Sequence, residues 1–383
     1  MACELVVHGL ILYRSVMVTI PFTPPHVSVN RVRIADLPGL CLDDVVRGQA
    51  AYHLLSKEAV VLYALEQAHL LQLPPALLED SPAAYRDLPL VVDGALSSSE
   101  PMKRAAAEHI ARRLGRNLAY ILLTLHRGDA CNRVLRPDWT ATEWDLWASI
   151  QSVRLGGGLV SGLLGKRLVE YATALIAELG YADELRIELT PYRQEMSVLG
   201  AGRYAPDDVS AVLCFDFGQT MIKRALLHLE QGAITALVAL PSLPTDWAFS
   251  NVPTAALRYS GEEVLALVSD VLACTAEETG IRDAEILLSI AAYVDGGQVL
   301  GNGIYARMST LAADVRPLLA TAVRARNGTT SRIHLIHDGT AAAAVHAGEP
   351  HTAVIVAGTA LGVGFCPPTS AGLRPLRLAL PEI

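Results

Sequence analysis

The chain has 383 residues, a formal net charge of −8, 51% hydrophobic residues and 18% charged residues. A chain of this length exceeds one ordinary core and predicts two domains, each with a substantial apolar interior. The acidic balance, without clustered lysine or arginine, excludes a nucleic-acid-binding surface, because phosphate backbones are bound by such clusters. The high apolar content, without blocks of Ser, Gln, Pro or like charge, excludes extended disorder.

The six cysteines, at positions 3, 41, 131, 214, 274 and 366, lie far apart and form no CxxC pair. This spacing indicates neither a zinc site nor a disulfide framework, and it suits buried thiols in a reducing cytoplasm. An apolar stretch over residues 5–22 is interrupted by His8 and Arg14 and follows no basic region, which favours a β-hairpin over a signal or membrane segment. No other stretch reaches membrane-spanning length, so we expect a cytoplasmic protein without a membrane partner.

Helical periodicity dominates the first half of the chain, and strand patterns dominate the second half. The predicted helices of the first half cover residues 45–73, 101–125 and 164–179, with strands at 152–155 and 185–189. A Gly- and Pro-bearing passage at 200–206 is the candidate boundary. Beyond it, strands are predicted at 211–215, 222–229, 234–240, 285–290, 332–336 and 352–356, and helices at 261–280, 311–326 and before Gly348. This alternation is typical of an α/β fold.

The strand at 211–215 leads into the sequence Asp-Phe-Gly-Gln-Thr. A strand that ends in Asp and turns through Gly to Thr places backbone N–H groups and a hydroxyl where phosphate oxygens can bind. The carboxylate suits Mg²⁺ held through water, because magnesium keeps much of its hydration shell. The same sequence also fits an ordinary hairpin. The candidate ligands are Asp216, Gly218, Gln219 and Thr220.

Two further glycine-rich segments are candidate ligand sites. The apolar strand at 352–356 leads into spaced glycines and a hydroxyl, which suits a second phosphate site or a simple Gly-rich hairpin. Three consecutive glycines after the strand at 152–155 allow the backbone to pass close to a flat ligand such as adenine, or form a tight strand-to-helix crossover. The candidate residues of the two segments are Gly358, Thr359 and Gly362, and Gly156, Gly157 and Gly158.

Asp338 is the candidate catalytic residue. It ends an apolar strand and precedes an Ala-rich helix. From that position its carboxylate could take a proton from a substrate hydroxyl as the hydroxyl oxygen attacks a γ-phosphate. An Asp before Gly-Thr-Ala-Ala also fits the N-cap of the helix, and the two roles are compatible.

In their order along the chain, the segments from 216 to 364 resemble the ROK-type sugar kinases of the actin-like ATPase superfamily. Residues 289–299, Ser-Ile-Ala-Ala-Tyr-Val-Asp-Gly-Gly-Gln-Val, are similar to the family's IPGxVDxxGxV, and Asn302 follows them as the family's Asn does. The Asp338 element and the second glycine segment come next, again in the family's order. The resemblance implies a two-lobed α/β fold of the actin-like, ribonuclease H-like type.

The order of the remaining segments differs from that of the family. Residues 150–161, with the three glycines, are similar to the family's adenosine strand, and Val198-Leu199-Gly200-Ala201 to its closing segment. In the family this portion follows the second glycine loop, whereas here it precedes Asp216. The resemblance therefore implies a circular permutation, which surface termini make physically reasonable. The expected lobes are residues 1–205 with 351–383, and residues 206–350.

The resemblance also implies roles for individual residues. ATP and Mg²⁺ would be the cofactors, with Asp216 holding the metal through water and Asp338 acting as the catalytic base. Asn302 and His337 would face a small, sugar-like substrate, and related kinases are commonly homodimers. Several features depart from the family: Gln219 and Ala360 stand where glycines are usual, His337 stands where Asn is usual, and neither the zinc cluster nor the Glu-x-Gly-His sequence is present.

Because the family's sugar-binding residues are missing, the acceptor stays open, and the loop at 240–250, with Thr245, Asp246 and Trp247, is a further candidate for shaping its site. The leading hypothesis is a sugar-type kinase that phosphorylates a hydroxyl group. The alternative is a nucleotide-binding regulatory protein or pseudokinase of the same fold. The family's transcriptional repressors are disfavoured, because the sequence has no basic helix-turn-helix.

Overall fold

The computed structural model describes residues 28–78, 82–245 and 259–378. Over these ranges the chain is an α/β protein with two larger sheets and one small hairpin, which confirms the coarse fold class. No helix in them has both the length and the apolar character needed to cross a membrane. Three features of the sequence analysis lie outside the described residues: the hairpin over 5–22, Asp246 and Trp247.

The N-terminal part is helical, as expected, but the helix predicted over 45–73 is wrong as a single element. It is divided because the Ser56 side chain accepts a hydrogen bond from the Ala59 N–H at 3.2 Å and starts a new helix, and it ends at Gln72, which adopts a left-handed φ of 55°. With helices numbered along the chain, this part contains α1 (Ala51–Leu54), α2 (Lys57–Glu66), α3 (Ala68–Leu71), α4 (Pro82–Ala95), α5 (Pro101–Arg127), α6 (Ala130–Arg133) and α7 (Ala141–Ala148).

A four-stranded sheet joins two parts of the chain that are far apart in sequence. Its strands are β1 (Ser152–Gly156), β2 (Arg186–Leu189), β10 (Thr352–Ala357) and β11 (Leu361–Phe365), in the order β11-β10-β1-β2. The pairs β10–β1 and β1–β2 are parallel, and β10–β11 is antiparallel. The helix α8 (Leu163–Glu178) connects β1 to β2 and packs against α5. The strands predicted at 152–155, 185–189 and 352–356 are confirmed.

The second sheet has five strands in the order β5-β4-β3-β6-β9. They are β3 (Ala211–Phe217), β4 (Met221–Glu230), β5 (Ala233–Pro244), β6 (Glu285–Ile290) and β9 (Arg332–His337). The first three form an antiparallel meander, whereas β6 and β9 run parallel to β3. The hairpin of β7 (Tyr293–Asp295) and β8 (Gln298–Leu300) follows β6. All five strands lie where apolar patterning predicts them.

Helices cover both faces of the five-stranded sheet. On one face, α10 (Gly261–Thr279) and α11 (Arg316–Asn327) pack together over the apolar side chains of β3 and β6. The prediction for α11 began five residues too early, because Pro317 suits only the first turn of a helix. On the other face, α9 (Met196–Gly202) and α12 (Asp338–Ala344) bury an apolar cluster that also includes Val354 of β10.

The pairing of α9 with α12 places the site in the fold. A Cβ atom added to Gly200 of α9 would overlap the carbonyl of Ala341, so only glycine permits this close approach. Their shared core links the two sheets, and it brings the start of α12 next to the end of β3 and to the loop between β10 and β11. The division of the chain into lobes at residues 205 and 350 stays a prediction.

Candidate active site

A cavity of about 600 Å³ opens where β3, β9 and β10 end. This volume lies within the range of roughly 300–1,000 Å³ that is typical of small-molecule sites. The lining combines residues from both sheets with residues of the N-terminal helical part. It includes most of the residues predicted from sequence: Asp216, Gly218, Gln219, Thr220, His337, Asp338, Gly158, Gly358, Thr359 and Gly362.

The turn between β3 and β4 is held in one conformation by hydrogen bonds to its backbone. The Gly218 N–H donates to the carbonyls of Asp216 and Met221, both at 3.1 Å, and the buried Tyr305 hydroxyl donates to the Gly218 carbonyl at 2.6 Å. A Cβ atom on Gly218 would lie 2.9 Å from the Met221 carbonyl oxygen, which is why this position requires glycine. The turn is therefore a rigid part of the cavity wall.

A second set of contacts fixes the far side of the same turn. The Thr245 hydroxyl donates to the Gln219 carbonyl at 2.6 Å, and the Thr245 N–H donates to the Thr220 carbonyl at 2.9 Å. Thr245 was a candidate for shaping the acceptor site. In the structure, its two hydrogen bonds anchor the end of β5 to the turn.

Asp216 forms an ion pair with a residue that the sequence analysis did not single out. Lys223 lies directly opposite Asp216 in the β3–β4 register, and its Nζ is 2.9 Å from Oδ2 of Asp216. Asp216 is only 6% exposed, so the ammonium compensates a carboxylate that burial would otherwise penalise. The available sequence signal was a lysine soon after the Asp-Phe-Gly-Gln-Thr turn, where a hairpin places it across from the turn's Asp.

Asp338 lies at the base of the cavity, at the junction of β9 and α12. Its Oδ1 accepts a hydrogen bond from the Gly339 N–H at 2.7 Å, and its side chain keeps 18% exposure. Burial, and after it the negative charge of Asp216, raise the pKa of this carboxyl to about 7, and the Gly339 N–H and Lys223 partly oppose the rise. A carboxylate with a pKa near neutrality can accept and release a proton at physiological pH.

His337 performs the capping function that was considered for Asp338. Its Nδ1 accepts from the Thr340 N–H at 3.3 Å, so His337, and not Asp338, is the N-cap of α12. Burial lowers the pKa of His337 to about 3, so the ring is neutral. Because Nδ1 is an acceptor, Nε2 carries the proton, and it lies 3.1 Å from Oδ1 of Asp338.

Tyr293 packs on the other side of His337. The two rings are stacked, with centroids 4.4 Å apart and planes inclined by 19°. Tyr293 is half-buried in the cavity wall, and burial raises the pKa of its hydroxyl to about 12, so it stays protonated. This stacking holds the His337 ring in place beside Asp338.

The loop between β10 and β11 is anchored by the N-terminal part of the chain. The Asn30 side chain donates to the Leu361 carbonyl at 2.8 Å and accepts from the Leu361 N–H at 2.9 Å. The Lys57 N–H donates to the Gly358 carbonyl at 2.9 Å. Gly362 faces the catalytic candidate, because a Cβ atom there would lie 3.3 Å from Oδ2 of Asp338.

The three consecutive glycines have three different environments. Gly158 lines the main cavity, and Gly156 lines a second cavity of about 230 Å³. Gly157 has a φ of 100°, and a Cβ atom there would overlap the backbone of Ala357 in β10. The structure therefore brings Gly158 to the candidate nucleotide site, whereas Gly157 permits the close contact of two strands.

Asn302 is separated from the other candidates. It is exposed in a turn after β8 and lines neither of these two cavities. Its predicted contact with a substrate would require a different arrangement of that turn.

The chemistry of the cavity fits Mg²⁺ with few protein ligands. Within the described ranges, no group of three or more His, Cys, Asp or Glu side chains could hold a metal by itself. Two carboxylates, Asp216 and Asp338, nevertheless line the cavity close enough for the charge of one to raise the pKa of the other. Magnesium typically uses one or two carboxylates together with waters and substrate phosphates. Asp216 is therefore the residue that would hold it.

Comparison with known proteins leaves the site to be interpreted from its own geometry. No known protein family matches the chain, and no match was found among curated proteins.

Proposed function

We propose that the chain is an ATP-dependent phosphotransferase that phosphorylates a hydroxyl group of a sugar-like small molecule. The observation that carries this proposal is the convergence of three glycine-bearing segments, distant in sequence, on one cavity that also contains a carboxyl with a pKa near 7. Each segment alone has an ordinary structural explanation. Their convergence around a titratable carboxyl supports phosphoryl transfer, because that reaction uses groups that position the phosphates and a residue that accepts the proton of the nucleophile.

The sheet architecture supports a two-lobed fold of the actin-like ATPase type, circularly permuted. An antiparallel meander extended by two parallel strands is compatible with the ribonuclease H-like core that the family resemblance implies. The four-stranded sheet unites β1 and β2 with β10 and β11 from the end of the chain. This pairing supports the permutation, because strands that precede the five-stranded unit in sequence form one sheet with strands that follow it.

In the proposed reaction, Asp338 is the general base. Its Oδ1 accepts the Gly339 N–H and lies against Nε2 of His337, so Oδ2, on the side of Gly362, accepts the proton of the acceptor hydroxyl. The acceptor oxygen forms a bond to the γ-phosphorus as the bond to the bridging oxygen of ADP breaks. The backbone of the turn at 216–220 and the loop at 358–362 would position the phosphates.

Magnesium, when bound, neutralises charge on the phosphate oxygens. The protein's contribution is to hold Asp216 rigidly at the end of β3, where Lys223 and the β4 register fix its side chain. The walls of the cavity exclude water from the reacting groups, because apolar side chains such as Leu159 and Leu361 line it.

Replacement of Asp338 by asparagine tests the assignment. We expect D338N to lower the rate of phosphate transfer by about 100- to 10,000-fold, measured as ADP formation with a pool of sugars and amino sugars. Binding of ATP, measured by calorimetry, should change little. The matched control is D183N at an exposed aspartate outside the cavity. Full turnover in D338N would overturn the assignment of Asp338 as the general base.

A second candidate function is nucleotide binding without transfer, as in a pseudokinase. The ion pair between Lys223 and Asp216 favours it, because an ammonium group already compensates the carboxylate that would hold the metal. ATP-dependent thermal stabilisation without any phosphorylated product across the acceptor panel would support this function over the first.

A further inference from the structure

Lysine is rare in this chain, and its few copies are unevenly placed. Only four of the 31 basic residues are lysines: Lys57, Lys103, Lys166 and Lys223. Two of the four, Lys57 and Lys223, line the main cavity, although its lining contains fewer than a tenth of the chain's residues. An ammonium group is a compact point charge that can contact a single phosphate oxygen, whereas a guanidinium group requires a planar, bidentate partner.

The two cavity lysines belong to different parts of the fold. Lys223 lies on β4, opposite Asp216. Lys57 is the first residue of α2, and its position is fixed on both sides. The fully buried Ser56, just before it, caps the helix, and the N–H of Lys57 donates to the Gly358 carbonyl at 2.9 Å. The backbone of Lys57 is therefore joined to the loop that is the second candidate phosphate site.

The cavity lining carries charges of both signs, from the cations Lys57, Arg86 and Lys223 and the carboxylates Asp87, Asp216 and Asp338. Asp216 and Asp338 both line the cavity and would repel phosphate oxygens. The charge of Lys223 is already compensated by Asp216 at 2.9 Å. Burial lowers the pKa of Lys57, and the positive charge of Arg86 lowers it as well. The negative charge of Asp87 opposes the decrease only in part. An anion bound beside Lys57 would therefore be attracted by the ammonium group. Its negative charge would in turn favour the protonated form of the lysine.

We propose that Lys57 and Lys223 together bind the phosphate chain of the nucleotide, so that the N-terminal helical part completes the nucleotide site. This inference rests on the proposed function, since it assumes that a nucleoside triphosphate occupies the main cavity. It assigns a role to the first hundred residues, which the family resemblance does not cover. Lys57 is then a binding residue contributed by α2.

An acyl phosphate derivative of ATP tests the proposal directly. An unprotonated lysine amine close to the terminal phosphate attacks the acyl carbon, an amide bond forms, the bond from the acyl carbon to the phosphate oxygen breaks, and ATP leaves while the amine proton passes to solvent. With only four lysines, peptide mass mapping can assign every label. We expect labelling of Lys57 that excess ATP suppresses, and no such labelling of Lys103. ATP-sensitive labelling confined to Lys103 or Lys166 would overturn the proposal.

Substitution gives an independent measurement. We expect K57M to weaken the binding of ATP and of inorganic tripolyphosphate about 10-fold, because a charge-assisted contact is lost, with K57R retaining part of the affinity. The control K103M, on α5 and outside both cavities, should bind as the unmodified protein does. Unchanged affinities in K57M, with a normal circular dichroism spectrum, would contradict the role of Lys57.

The same measurements separate this inference from the proposed function. Both ligands are titrated into D338N as well, where transfer is blocked by design. If tripolyphosphate binding depends on Lys57 but no acceptor is ever phosphorylated, the lysine site stands and the transferase proposal fails. If transfer occurs and K57M binds ATP normally, the transferase stands and the lysine site fails.

Discussion

Nε2 of the neutral His337 lies 3.1 Å from Oδ1 of Asp338. The imidazole can only donate from Nε2, because its Nδ1 accepts the Thr340 N–H as the cap of α12. One side chain thus caps the helix and lies against the candidate base. Burial nevertheless raises the pKa of Asp338 to about 7, so the carboxyl titrates where a kinase operates.

The pH dependence of turnover follows from this pKa. Because the base must be deprotonated, we expect kcat/KM to rise with pH and to reach half its plateau near pH 7. His337 does not contribute to this transition, since burial lowers its pKa to about 3. The measurement is the initial rate at saturating ATP over a range of pH, with ATP affinity determined at each value. A rate that stays constant across neutrality would exclude Asp338 as the base.

The same carboxyl should make stability depend on pH. Its pKa is about 7 when folded, against 3.8 as the ordinary value, so between these values the folded protein binds more protons than the unfolded chain. Stability therefore falls as pH rises through this window and is level above it, with a total change of up to about 4 kcal/mol. D338N lacks this dependence, so its stability relative to the unmodified protein should increase from pH 4 to pH 7. Urea unfolding at several pH values measures the difference, and a constant difference would contradict it.

Removal of the His337 ring should affect both the helix and the base. In H337A the loss of the cap costs about 1 kcal/mol. Loss of the buried ring also opens the surroundings of the Asp338 carboxyl to water and relieves the desolvation that raises its pKa, so the midpoint of the pH–rate profile should move to lower pH. The control is S260A, which removes the side-chain cap of α10 at a comparable cost. Its profile should keep the original midpoint; an unshifted midpoint in H337A would mean that His337 acts only as a cap.

The ion pair of Lys223 and Asp216 is expected to show strong coupling. K223M leaves a buried carboxylate without its ammonium partner and should lower the free energy of unfolding by about 3 kcal/mol. The double variant D216N/K223M should recover part of the loss, because the unpaired charge is removed as well. The comparison is R167M, at an exposed pair with Glu170, for which a change of about 0.5 kcal/mol or less is expected. If urea unfolding shows that the double variant loses as much stability as the two single variants together, the two side chains are not coupled.

Close packing of β11 on α12 should make Gly364 intolerant of a side chain. A Cβ atom at this position would overlap the Gly339 carbonyl, one residue after Asp338. We expect G364A to destabilise the protein by about 3 kcal/mol and to reduce turnover by displacing the start of α12. G303A is the control, since a Cβ atom there meets nothing within 4 Å. Equal melting temperatures for the two variants would show that α12 can move without cost.

The sequence by itself determined the local elements of the site. The turn after β3 is specified by its own residues, because glycine at 218 is needed within the turn and the flanking strands have regular apolar patterns. The strand ending at His337 and the glycine loop after β10 were predictable for the same reason. Failures occurred where capping overrides periodicity, as at Ser56, which divides the helix predicted over 45–73.

Tertiary structure alone decided how these elements meet. Asn30 contacts Leu361 across 331 positions, and Lys57 reaches Gly358 from another part of the chain. The pKa of Asp338 depends on burial and on the charge of Asp216, more than a hundred residues earlier. Local patterns report backbone preference and the side of an element that is buried, but not which distant partner it meets. Those partners are selected by packing, because the paired helices α9 and α12 fix the distance between the two sheets.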